Sequence, residues 1–130
     1  MQELYHKLLG DMKRVGLPTD FTLELKPYSK TYYGRYNPNL DRVTVYIYED
    51  KECTKLTDYE ELLLTSIHEA VHHVQWKDKS FVRRRGVMHD ADFHRLYNMY
   101  AERAKSILQE EKRVVLQTKT SRGKTSELYC

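Results

Sequence analysis

The sequence predicts an α+β domain: an N-terminal helix, a small three-stranded, mostly antiparallel sheet, then two long helices. Three observations carry that reading. Apolar residues recur at helical spacing between residues 3 and 15, alternate with polar ones in short segments between residues 21 and 48, and return to helical spacing after residue 57.

In the first segment Leu4, Leu8, Met12 and Val15 share a helix face, and Gly16 with Pro18 supplies the stop. From Phe21 to Tyr28 the alternation of Phe21, Leu23 and Leu25 with Thr22, Glu24 and Lys26 predicts a half-buried strand. The tyrosine-rich run from Thr31 to Tyr36 predicts a second strand, with Gly34 as a bulge position. Asn37, Pro38, Asn39 and Asp41 make a turn, after which Val43, Val45 and Ile47 alternate with Thr44, Tyr46 and Tyr48 in a third strand. These spacings predict a meander, and from its place before the motif helix the Val43 to Tyr48 strand is either a free edge to which an extended peptide could add or an ordinary sheet strand. Thr57 and Glu60 form a capping box before Leu62, Leu63, Leu64, Ile67, Val71 and Val74, predicting a helix from about 58 to 76. Lys77 to Met88 has no consistent period and reads as a loop. Asp90 or Asp92 caps a third helix carrying Phe93, Leu96, Tyr97, Tyr100, Ala104, Ile107 and Leu108, which fades near Lys112. The domain therefore spans residues 1–113, and 114–130 reads as a polar, mobile tail.

At 130 residues, 40% hydrophobic and 32% charged, the chain suits one soluble domain with its own core. No window approaches the roughly 18 apolar residues of a membrane span, and the N-terminus lacks the apolar stretch of a secretory signal, so the expected compartment is the cytoplasm. Cys53 and Cys130 give neither a disulfide framework nor a thiolate metal site. The net charge of +3 is unevenly spread: Arg83, Arg84 and Arg85 cluster with Lys77 and Lys79, a candidate contact for nucleic-acid phosphates or simply a solvated basic surface.

Within the second helix lies His68-Glu69-Ala70-Val71-His72, an HExxH pattern. Residues four apart on a helix are offset by about 40° and about 6 Å, so two imidazoles there can converge on one cation. Glu69 lies about 60° around from His72, near enough to serve a metal-bound water without ligating the metal. A catalytic zinc takes three protein ligands and keeps a position open for water. The segment His89-Asp90-Ala91-Asp92-Phe93-His94 offers His89 and His94 as third donors, His89 from a loop and His94 one turn into the next helix. His73 points about 100° away from His72 and is expected to be exposed or packed elsewhere, and His6 has no partner in sequence. Tyr97 and Tyr100 are expected to pack in the core, with a hydrogen bond to a tetrahedral intermediate as the alternative role.

An apolar helix carrying His68-Glu69-x-x-His72, a loop, and then His89-x-x-x-Phe93 resembles the SprT-like (Spartan-type) metalloprotease domain. The resemblance covers roughly residues 1–110, with specific residues matching around the two motifs. It implies zinc ligands His68, His72 and His89, Glu69 as the catalytic base, a minimal zincin-like fold, and cleavage of protein associated with DNA. Asp90 stands where the family carries glycine after its third histidine, and the cysteine zinc ribbon of some members is absent from the sequence. The expected function is zinc-dependent hydrolysis of peptide bonds in extended or unfolded protein. Two other readings share the same residues: a non-catalytic module, stabilised by zinc, that binds nucleic acid or protein, and a zinc hydrolase acting on a non-peptide amide.

Overall fold

The computed structural model describes residues 2–77 and 91–122, with side chains described as far as Arg113. The chain is α+β. Helix α1 (Gln2–Arg14) leads into strands β1 (Thr22–Lys26), β2 (Gly34–Asn37) and β3 (Arg42–Tyr46), followed by helices α2 (Tyr59–Lys77) and α3 (Ala91–Arg122). Among the described residues no helix is long and apolar enough to cross a membrane.

The sheet corrects the expected meander. Its order is β1-β3-β2, with β1 parallel and β2 antiparallel to β3, so it is mixed. The turn after Asn37 folds β2 directly onto β3, aided by Asp41 in the left-handed region (φ 47°) and by the Asn37 side chain accepting from the Asn39 N–H at 3.0 Å. The longer segment between β1 and β2 carries the chain past β3, leaving β1 to pair on its other side. Val43 and Val45, the β-branched pair of β3, therefore sit at the sheet centre and are fully buried. Between two neighbours, β3 has no free edge for a peptide; among the described residues β1 and β2 are the edge strands.

Helix α2 lies across β2 and β3, and both other helices pack against it. Leu8 and Met12 of α1, Leu63, Ile67, Ala70 and Val71 of α2, and Phe93 and Ala104 of α3 meet Val43 and Val45 in one core. Each large side chain buried there contributes about 1.5–3 kcal/mol. Helix α1 ends as the sequence suggests: Gly16 takes φ 92°, its N–H reaches the Lys13 carbonyl at 3.0 Å, and Leu17 N–H reaches Met12 O at 3.1 Å. Arg103 of α3 donates to the Val15 carbonyl at 2.8 Å, tying that helix end to the C-terminal half of the fold. Buried Asp11 is satisfied by the Tyr59 hydroxyl at 2.6 Å and by Arg14 at 3.0 Å, which fixes the start of α2 against α1.

The helix boundaries differ from the spacing argument in two places. Helix α2 starts one residue after Asp58, whose carbonyl accepts from Leu62 N–H at 3.0 Å, while Thr57 N–H is drawn to the Ile47 carbonyl at 2.9 Å. Asp58 therefore holds the cap position that the capping-box pattern assigned to Thr57. Helix α3 continues past Lys112 to Arg122, because its first breaker is Gly123. The rest of the expected tail, 123–130, lies outside the described residues.

Candidate functional site

The HExxH pattern lies in the middle of α2, where the helix is packed on the sheet on one side and on α3 on another. His68 and His72 present their rings together, with centres 5.2 Å apart and planes at 80°. Two imidazoles bound to one tetrahedral zinc at about 2.0–2.1 Å, with roughly 1.1 Å from nitrogen to ring centre, have centres about 5 Å apart. The pair thus fits a shared ion. Phe93, the first buried residue of α3, lies 4.8 Å from the His68 ring and 4.6 Å from that of His72, and so braces both. A third donor is not found in place: among the described residues no group of three His, Cys, Asp or Glu side chains could hold a metal ion. His89 lies outside the described residues, as do Asp90, Arg83, Arg84 and Arg85.

Glu69 is buried between α2 and the sheet, 8% exposed. Burial pushes its carboxyl up to about 7, with the positive charge of Arg35 pulling the other way. A carboxyl poised near neutral pH can take a proton and return it, which is the balance a general base requires. Gly34 explains how strand β2 approaches so closely. A Cβ there would lie 2.7 Å from Thr65 Cγ2, 3.1 Å from the Thr44 carbonyl and 3.2 Å from Glu69 Cγ. Its role is close approach rather than the bulge expected from the sequence, since it pairs in register with Val45.

His73, next to His72, faces the other way and is 1% exposed. Its Nε2 lies 2.8 Å from Asp20 Oδ1 and its Nδ1 3.0 Å from the Tyr36 hydroxyl. An ionised carboxylate only accepts, so in the neutral ring Nε2 carries the proton and Nδ1 accepts from Tyr36. The bond to His73 also holds the Asp20 carboxyl below its usual range. Phe21 and Tyr36 pack edge-on to the ring at 5.4 and 5.6 Å.

His68 and Glu69 open onto a cleft of about 850 Å³ between α2 and the segment that precedes β2. Tyr97 lines it, with its ring centre 5.8 Å from that of His68, and burial raises its hydroxyl pKa. Tyr100 is buried in the core instead. His94 is exposed on α3, His6 is exposed beside Tyr5, and Trp76 is partly exposed at the end of α2. Asp92 lies in the first turn of α3 and pairs with Arg95 at 3.3 Å. Lys77 pairs with Asp41 at 3.0 Å.

Sequence reasoning missed three contributors: Gly34, Arg35, and the tyrosines of residues 28–33 that line the cleft. A signal was present in the run Tyr28-Ser-Lys-Thr-Tyr-Tyr-Gly-Arg-Tyr, whose aromatic density exceeds what a four-residue edge strand needs for packing. No family model, curated protein or solved structure matches the chain.

Proposed function

We propose that this chain is a zinc-dependent metalloendopeptidase of the SprT-like kind, with a zincin-like arrangement of its helices, acting on extended or unfolded polypeptide. The observation that carries the reading is the 5.2 Å separation of the His68 and His72 ring centres beside a buried Glu69 on the same helix turn. His68 and His72 would hold the metal together with His89, the third ligand implied by the resemblance. Zinc held there would supply Lewis acidity to polarise the scissile carbonyl and lower the pKa of a water. Glu69 takes the proton from the attacking water and passes it to the departing amine. Phe93 packs against both imidazoles and would restrain them at the metal, and burial of Glu69 raises the basicity of its carboxylate. Protein bound to DNA is the substrate setting suggested by the resemblance, with the Arg83–Arg85 cluster as its local support in the sequence.

The test compares the zinc-loaded chain with Glu69→Gln on a denatured protein substrate. The parent should cleave it, and the variant should retain zinc while losing several orders of magnitude in rate, as expected when the group that moves the proton is removed. Equal cleavage by both would remove Glu69 from the mechanism. Stoichiometric zinc with no cleavage by either would leave the metal-stabilised binding module as the better account.

A further inference from the structure

We infer that the tyrosine-lined wall opposite Glu69, built by residues 28–33, is a specificity subsite that selects a peptide with an aromatic or large apolar side chain next to the scissile bond. The inference rests on the hydrolase reading above for its location and on the wall's own structure for its ligand. Tyr28, Tyr32, Tyr33, Tyr46, Tyr48 and Tyr97 all line the cleft. Tyr33 is 84% exposed and Tyr32 is 45% exposed, an unusual state for two adjacent large rings beside a buried carboxyl. Such rings offer flat apolar area to a side chain and a hydroxyl to a peptide group.

The wall is held in place without a ligand. The Ser29 hydroxyl accepts from the backbone N–H of Thr31 at 3.2 Å and of Tyr32 at 3.0 Å, closing a tight turn. The Tyr33 carbonyl accepts from Tyr46 N–H at 3.0 Å, extending the pairing of β2 with β3 up to the wall. The Arg35 guanidinium lies 4.7 Å from the centre of the Tyr32 ring and fixes its plane. The Tyr32 ring, already held by Arg35, loses little freedom when a side chain docks on it, and Tyr33 adds exposed aromatic area beside it. Lys30, Glu49 and Glu61 also line the cleft, so charges of both signs lie beside the rings, and the preference argued here is carried by the aromatic surface.

The experiment uses the zinc-loaded full chain and two quenched fluorescent peptides that differ only in Phe or Ala at one position beside the cleaved bond. The parent should favour the Phe peptide about tenfold in kcat/KM, through KM. Tyr33→Ala should bring the two peptides within about threefold by lowering kcat/KM on the Phe peptide more than on the Ala peptide, and Ser29→Ala, which loosens the wall, should act the same way to a smaller degree. Equal losses on both peptides, or an undiminished preference in Tyr33→Ala, would overturn the subsite. If the parent cleaves neither peptide, the hydrolase reading fails by itself. The subsite is then tested by fluorescence titration of Glu69→Gln with the same peptides, where a Phe preference abolished by adding Tyr33→Ala supports it and equal affinities refute it.

Discussion

Replacing Glu69 by glutamine should stabilise the metal-free protein, and the gain should depend on pH. The folded chain holds this carboxyl up at about 7 against an ordinary value of 4.5, because burial disfavours the ionised form. The folded state therefore binds a proton more tightly than the unfolded state, and stability falls as pH rises from about 4.5 to about 7. The difference between those two values, at about 1.4 kcal/mol per pH unit, sets an upper limit of about 3.5 kcal/mol, present in full well above pH 7 and absent below pH 4. Glutamine keeps the shape and carries no charge. Urea denaturation in the presence of a chelator at pH 4.5, 6, 7 and 8 should thus show a gap between variant and parent that opens across this window and then levels off. In thermal melts at pH 8 it should correspond to roughly 10 °C for a domain of this size. A gap that is the same at pH 4.5 and pH 8, or a variant less stable than its parent at pH 8, would refute the burial argument, whatever the catalytic role of the residue.

Gly34→Ala places a methyl 2.7 Å from Thr65 Cγ2 and 3.2 Å from Glu69 Cγ, so β2 or the Glu69 side chain must shift; a loss of about 1–3 kcal/mol in denaturation and at least tenfold in kcat/KM is expected. Tyr36→Phe removes the donor to His73 Nδ1 and should cost about 1–3 kcal/mol by chemical denaturation without changing zinc content. Metal analysis should find zinc lost in His68→Ala, His72→Ala and His89→Ala and retained in His94→Ala, whose ring is exposed on α3. Zinc should raise the melting temperature of the parent in a concentration-dependent way and leave that of His68→Ala unmoved.

Much of the fold could be read from periodicity, because the apolar residues of α1 and α2 recur at helical spacing and those of β3 alternate in the sequence, although α2 also buries Ser66, Glu69, His73 and Gln75 and β3 also buries Thr44. Sheet order could not. Three strands with similar alternation are compatible with several pairings, and the choice was made by the short turn after Asn37 and by the burial of Val43 and Val45 at the centre. The end of α3 was misplaced because the apolar spacing weakens near Lys112, although no breaker occurs before Gly123. At the site, the convergence of His68 and His72 follows from helix geometry alone. What escaped the sequence depends on distant segments meeting: Arg35 acting on Glu69, Gly34 admitting α2, and Asp20 with Tyr36 holding His73.

The pairing of His73 with Asp20 and Tyr36 means that consecutive histidines on α2 serve opposite sides of the helix. His72 faces Phe93 and the candidate site, and His73 is bolted to the loop before β1 and to strand β2. Rolling α2 about its own axis would break that bolt, so the orientation of the His68–His72 pair is set from behind, by residues 37 and 53 positions upstream of His73. A peptide cut down to α2 and α3 would keep every atom of the HExxH motif and lose the part that points it.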